Sequence, residues 1–515
     1  MGQKNNYDPT QKYPYRWFSL VEVPCNFHCF PGIKRLTGER VQGGIVLVPE
    51  KKYSLEIRSL EPNKEMTDRD IANFWLNLDI EFIKQNGSYD VKPMFSGKTM
   101  FISSRKYPII HDILTNVARG DFKDNNSSPM DDYLAAEYLN GKSLKDALHD
   151  KELSSGRLGS IIRKKSEELW AYIMLQVKEE QFQEFYLDFT KNNLFQETTS
   201  GEFFRRFNDT FGFRLDSLVE NCYNANRLPL LDVRDVRVIK IAKTDTPYSL
   251  YSFKVFNRSD VPGLIKTGEH KGWIIPPHEG REIRVRGQRY YGNILQTPLA
   301  QNIPAIVRFK TEDPGNANVD TTTGVFKLDA SMFPEDKKEN EIIVDNEDPG
   351  FKVVKPESFI TSLFRKEKKR EKYHEFFTGN TWFLTIQKHF YGFPVKSAYY
   401  KIAGSGKQKV EWNVTLPQKG KYEVFFYYTE FGDSDFFTMG VPENLKILRS
   451  YTVFNGKKEQ EVIVSLSKEE EGSWISLGTF DFSKNARVTL SDKTLNKDFR
   501  QGLVADAVKW VKIKE

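Results

Sequence analysis

The sequence predicts a multidomain α+β protein: a mixed amino-terminal region, a helical layer, and two β-sandwiches filling the carboxy-terminal half. Three observations carry this. The chain has 515 residues, more than one hydrophobic core usually organises. Near residue 231 its apolar spacing changes from the helical period to the strand period of two. Aromatic residues make up 14% of the chain within a hydrophobic fraction of 39%, a composition suited to packed, β-rich structure.

The first region is read as residues 1–140. Here Tyr13-Pro-Tyr-Arg-Trp-Phe-Ser-Leu-Val-Glu-Val-Pro24 is followed by the strand-like Gly43-Gly-Ile-Val-Leu-Val-Pro-Glu50. Together they resemble the edge-strand region that precedes the zinc helix in the aminopeptidase N family of zincins. Such a zinc site needs two histidines at i and i+4 on one helix face, a glutamate as general base and a third ligand downstream. The chain has seven histidines, His28, His111, His149, His270, His278, His374 and His389, and no two are spaced that way. Gly38-Glu-Arg-Val-Gln-Gly-Gly44 lacks the Met and Asn of the family's substrate-binding strand, leaving Glu39 alone. Ile71–Ile83 reads as an amphipathic helix carrying Asn and Asp instead of His. Asp131–Leu139 is similar to the helix that supplies the third ligand, with Glu137 as its carboxylate. The resemblance therefore implies a degenerate relative with no catalytic and no metal-binding residues. Cys25 and Cys29 form half of a metal-site spacing with no second half nearby, so thiols on a strand are the simpler reading.

Residues 141–230 are expected to be helical. Leu169, Ile173, Met174, Val177, Phe182, Phe185, Tyr186 and Phe189 recur at helical spacing among Lys and Glu. Thr199-Ser-Gly-Glu202 fits a capping box ahead of Phe203–Phe207, and Asp216–Tyr223 makes another short helix. Within the resemblance this is the helical layer beyond a peptidase core; without it, an ordinary helical bundle. Residues 231–325 alternate with period two at Val236, Val238, Ile239, Ile241, Tyr251–Asn257, Glu282–Arg286 and Ala305–Phe309. Gly and Pro separate the runs, and the spacing suggests an immunoglobulin-like sandwich. His278 and Glu279 fall on a turn and need no chemical role. Residues 326–340, rich in charge towards their end, read as a linker.

Residues 341–515 carry five phrases in order after the opening Glu341–Phe351: Ser397–Gly406, Val410–Pro417, Gly420–Tyr428, Trp474–Phe480 and Gly502–Trp510. These resemble the golvesin-like domains, also described as xanthan-lyase carbohydrate-binding-like. That resemblance implies a β-sandwich of jelly-roll type and a bacterial source. Val410, Trp412, Val414 and Leu416 alternate with polar residues, whereas Tyr422–Tyr428 is largely apolar on both faces and suits an interior strand. Trp474, Leu477 and Phe480 are expected to line the core. Candidate ligand-binding residues are Asp345, Asp348, Tyr427, Tyr428, Trp474 and Asp506, with Tyr399, Tyr400, Phe436 and Phe437 as further aromatic platforms. The three aspartates are also a candidate calcium set, although their spacing matches no EF-hand, and turn hydrogen bonds are the blander account. The basic run Arg365–Lys372 behind Phe359, Ile360, Leu363 and Phe364 is a solvated face or a lipid-touching helix.

Lys and Arg number 76 against 70 Asp and Glu, and their interspersion excludes a nucleic-acid footprint. Three cysteines cannot build a disulfide framework. No apolar run approaches the ~20 residues that span a bilayer, and the amino terminus lacks a signal-peptide core. A start upstream of Met1 is expected. The main expectation is a non-catalytic extracytoplasmic binding or scaffolding protein, without cofactor, derived from a zinc aminopeptidase. Its implied partner is a membrane permease or another envelope protein. The alternatives are a carbohydrate-binding module on an inert body, with a glycan as partner, and a metallo-aminopeptidase fragment; the alternative location is the cytoplasm.

Overall fold

A computed structural model describes residues 19–23, 45–49, 100–119, 128–193, 196–241, 248–267, 272–287, 294–312, 320–334, 340–354, 372–374, 381–429, 447–467, 470–493, 495 and 502–513. Gly38–Gly44, Ile71–Ile83, Cys25, Cys29, Phe436, Phe437 and nearly all of Phe359–Lys372 lie outside these. The described chain is mostly β-sheet, with its helices gathered between Ile110 and Asn224.

Strands β1 (Ser19–Val23) and β2 (Ile45–Pro49) pair in parallel. Strand β3 (Phe101–Ser103) pairs in parallel with β4 (Glu197–Thr199). Helices α1 (Ile110–Arg119), α2 (Pro129–Leu139), α3 (Leu144–His149), α4 (Ser155–Met174) and α5 (Glu179–Asn192) lie between them in sequence, and α6 (Ser200–Phe211) and α7 (Leu215–Asn224) follow. Helices thus begin well before residue 141. Thr199 caps α6 by accepting from the Glu202 backbone N–H at 3.2 Å. The Glu202 carboxylate pairs with Arg205 at 2.8 Å, which corrects the expected box to a one-sided cap: the guanidinium is the stronger donor for a carboxylate than a neutral amide. Phe182 and Phe189 of α5 and Phe203 and Phe207 of α6 are buried, with ring centroids as close as 4.9 Å.

From Leu231 onward the described residues form two groups of sheets. In the first, β5 (Leu231–Ile241), β6 (Tyr248–Asn257), β7 (Gly263–Thr267), β8 (Gly272–Ile275), β9 (Gly280–Gly287), β10 (Ile294–Gln296), β11 (Ile306–Arg308), β12 (Lys310–Glu312) and β13 (Gly324–Leu328) form sheets in the orders β11-β10-β7-β8 and β12-β5-β6-β9-β13. The expected linker is corrected here. Residues 326–328 belong to β13, paired with β9, and Phe333 is buried against Phe256 at 5.4 Å. Its carbonyl accepts from Arg258 at 2.9 Å, so the sandwich extends to Pro334, whose carbonyl accepts from Arg234.

In the carboxy-terminal stack, β14 (Glu341–Val344), β15 (Phe351–Val354), β16 (Phe383–Ile386), β17 (Ser397–Ile402), β18 (Lys409–Thr415), β19 (Gly420–Tyr428), β20 (Ile447–Phe454), β21 (Glu459–Leu466), β22 (Ser473–Phe482), β23 (Asn485–Ser491), β24 (Gly502–Ala505) and β25 (Val508–Lys512) form sheets β14-β25-β19-β22, β15-β18-β23-β20-β21 and β16-β17-β24. Tyr422, Val424, Phe426, Tyr428 and Trp510 of the first sheet share one buried core with Val410, Trp412, Tyr451, Val453 and Val488 of the second. Two sheets feeding one apolar layer is a β-sandwich. Strand β19 lies between β25 and β22, an interior strand of its sheet, with both edges paired.

Candidate functional site

The period of two decides which residues of β19 leave the core. Tyr422, Val424, Phe426 and Tyr428 are buried, so Phe425 and Tyr427 between them project from the outer face, each half-buried. Across the ladder Tyr427 pairs with Trp474, and on the other side Phe425 pairs with Lys509. A bulge sets the phase of β22. The register slips between Val424 and Phe425, leaving Leu477 as the extra residue, next to Gly478 at φ +111°. One inserted residue reverses the facing of everything beyond it. Phe480 and Phe482 therefore enter the core while Trp474 stands outside, which corrects the expectation that Trp474 shares the core with Leu477 and Phe480.

A third ring arrives from the segment between β16 and β17. Tyr391 lies 5.5 Å from Tyr427 and 5.2 Å from Trp474, and Tyr427 lies 5.4 Å from Trp474. The Lys509 ammonium sits 4.6 Å over the Trp474 ring and 5.1 Å over Phe425, a cation–π arrangement. Farther along the same face Ser476 donates to Glu423 at 2.7 Å. The outer face thus carries half-buried aromatic rings rimmed by a cation, a carboxylate and a hydroxyl.

Beneath the Tyr391 loop lie two carboxyl groups. Asp506 is 2% exposed; its Oδ2 accepts from the Tyr391 backbone N–H at 2.9 Å, and its Oδ1 has no hydrogen-bond partner among the described residues. Burial, and then the charge of Asp345, hold its pKa well above the usual carboxylate range. Burial likewise pushes Asp345 up to about 8, with Asp348 and Glu347 adding repulsion. Lys396 is depressed by burial, while the Asp506 charge opposes that shift. Gly392, at φ +117°, brings its backbone so close that an added Cβ would stand 2.4 Å from the Val395 carbonyl and 3.3 Å from Asp345 Oδ2. Only glycine fits that position.

Residues 369–512 match the Golvesin C-terminal domain. This golvesin-type segment contains Tyr391, Tyr427, Trp474, Asp506 and Lys509, whereas Asp345 precedes it. No curated protein matches the chain. Among solved structures, a Paenibacillus xanthan lyase is 14% identical with a TM-score of 0.23, covering 56% of this chain and 26% of the lyase. The chain thus spans about a quarter of that enzyme's length. The CBM35 of Cellvibrio japonicus Abf62 is 15% identical with a TM-score of 0.17, covering 34% of this chain and 94% of the module. An exo-β-1,3-galactanase from Phanerochaete chrysosporium is 13% identical with a TM-score of 0.20, covering 54% and 69%. Scores this low do not specify a shared fold.

The residues singled out from sequence separate into distinct environments. Tyr427 and Trp474 lie on the outer face, and burial pushes the Tyr427 hydroxyl up to about 12. Tyr428 is fully buried in the core, which corrects its candidacy: it is one residue out of phase with Tyr427. Tyr400 is also buried, and Tyr399 stacks on Phe351 at 5.1 Å. Asp348 accepts from the Asp345 backbone N–H at 2.8 Å, and its own N–H donates to the Asp345 carbonyl at 3.0 Å, so it closes a turn instead of converging with Asp506. Among the described residues no group of three or more His, Cys, Asp or Glu is placed to hold a metal ion. Glu137 pairs with Arg157 on the helical surface, and His278, at φ +55°, meets Asp260 at 2.9 Å on an exposed turn. Tyr391 and Lys509 were not found from sequence. Lys509 alternates with Val508 and Trp510, a signal that could have exposed it, whereas Tyr391 lies in a loop with no periodicity to place it.

Proposed function

We propose that the carboxy-terminal sandwich, of jelly-roll type, is a glycan-binding module and that the chain works by binding, not by catalysis, outside the cytoplasm. The observation that carries this reading is the outer-face cluster of Tyr391, Tyr427 and Trp474 under Lys509. The three rings stand at 56°, 68° and 70° to one another and offer apolar faces and edges to the C–H groups of a sugar, and the rim of Lys509, Glu423 and Ser476 offers hydrogen bonds to its hydroxyls. The match to the Golvesin C-terminal domain over residues 369–512 supports it. The competing account is a cross-strand aromatic pair that only stabilises the sheet. The peptidase-derived scaffold and its permease partner draw no support from the described residues. No helix among these is long and apolar enough to cross a membrane.

The test is a glycan-array screen of the full chain followed by titration calorimetry on each hit with wild type and Trp474→Ala. Binding that disappears in the variant while its unfolding transition stays in place supports the reading. An array without hits, or hits that Trp474→Ala leaves unchanged, sinks it.

A further inference from the structure

We propose that Asp506 is the positioning residue of the aromatic surface, its buried carboxyl holding the Tyr391 loop against β19 and β25 so that the three rings form one cluster. The inference rests on the glycan-binding reading for its purpose, but not for its geometry. Three bonds meet at the Asp506-Ala507 pair. The side chain takes the Tyr391 N–H at 2.9 Å; the Asp506 carbonyl takes the indole N–H of Trp412, a core residue, at 2.9 Å; and the Ala507 carbonyl takes the Tyr427 N–H at 2.8 Å. One turn therefore references the core, the strand that bears Tyr427 and the loop that bears Tyr391. Within this turn the Asp506 side chain is the tie to the Tyr391 loop.

Burial and the Asp345 charge favour an uncharged acid here, against the pull of the Tyr391 N–H and the Lys396 charge towards the carboxylate. Oδ1 is buried without a hydrogen-bond partner among the described residues, and leaving a bare carboxylate oxygen there would be costly. A proton on Oδ1 removes the charge and leaves Oδ2 free to accept from Tyr391. The groups whose charges act on the site are Asp345 from the β14–β15 turn and Lys396 from the Tyr391 loop, with Tyr427 on β19 sensing both Asp506 and Glu471. No third ligand side chain of the metal-binding types joins the two aspartates among the described residues. A proton is thus favoured over a divalent cation. As pH rises, ionisation next to Asp345 draws water to the site and loosens the loop, so the ring cluster loosens in alkali.

Amide hydrogen exchange at Tyr391 tests this without a glycan. In wild type the amide is expected to be protected at about pH 6 and less protected at about pH 9, above the value of about 8 to which Asp345 is pushed, after correction for the intrinsic rate. Asp506→Asn keeps an acceptor and cannot ionise, so it should protect equally at both values. Asp506→Ala should protect at neither. Where a glycan ligand has been found, its affinity should fall about tenfold in Asp506→Ala and lose its alkaline decline in Asp506→Asn. An Ala variant that keeps Tyr391 protected, an Asn variant that retains the wild-type pH response, or protection at pH 9 restored by calcium chloride would each overturn the proposal. An array without hits would remove the glycan reading and leave the exchange result standing.

Discussion

Two aspartates of the carboxy-terminal sandwich are equally buried and differently compensated. Asp492, 3% exposed, faces the Lys401 ammonium at 3.3 Å and takes the Gln408 N–H at 3.0 Å. Asp506, 2% exposed, has one backbone N–H and, as its largest charged influence, another carboxylate, ahead of the opposing Lys396. The first arrangement neutralises a charge and ties β17 to the end of β23; nothing about it calls for a ligand. The second leaves Oδ1 without a hydrogen-bond partner among the described residues, under a half-exposed aromatic surface. A buried group left short of partners calls for an explanation, and the contrast separates a structural aspartate from a functional candidate within one fold.

The largest effect expected is from breaking the compensated pair. Lys401→Met would leave Asp492 charged and buried with only the Gln408 amide, at a cost of about 3–5 kcal/mol, read as a lowered urea midpoint with unchanged slope. A loss no greater than that of a surface substitution would mean that water reaches Asp492, and the comparison would fail. The next effect is set by the two faces of β19. Phe426→Ala empties a fully packed site and should cost about 3–5 kcal/mol, whereas Phe425→Ala on the outer face should cost about 1 kcal/mol or less. Equal losses would mean that the outer face is as packed as the inner one.

Much of this sandwich was legible in the sequence, because alternation along Lys409–Thr415 and Gly420–Tyr428 fixes which residues point inward. The candidate site was only partly so. Tyr427 and Tyr428 look alike as letters and differ only in phase. Trp474 was misplaced because nothing in its spacing announces the bulge at Leu477; Gly478 was the available hint, since a positive φ suits glycine. Tyr391 comes from a loop, and its neighbours exist only in space. The helical segment was legible for the same reason as the strands, while the linker reading failed because the strand Gly324–Leu328 is short and Phe333 is an isolated anchor.

Titration gives a smaller effect with a definite sign. Asp345 moves from 3.8 to about 8 on folding, so the folded state binds more protons than the unfolded one between those values. Its contribution is fully present below the unfolded pKa and is lost as pH rises through the folded one. Asp506 shifts in the same direction. The urea midpoint of the sandwich transition should therefore fall between about pH 5 and about pH 9, and Asp345→Asn should flatten the slope. A midpoint that rises over that range would show both carboxyls to be ionised and stabilised, and would remove the distinction from Asp492.

The smallest change in stability is expected where the largest change in binding is proposed. Trp474 contacts Tyr391, Tyr427 and Lys509 on the outer face and contributes nothing to the buried core. Trp474→Ala should thus lower stability by about 1 kcal/mol, the scale of a cross-strand aromatic pair. Trp474→Phe should restore most of that while keeping a flat ring for a sugar to cover. If the Ala variant instead loses as much as Phe426→Ala, the three rings are a second small core on the outside of the sheet. Asp506 would then be the buried end of that core, and its unsatisfied oxygen a cost of packing instead of a sign of binding.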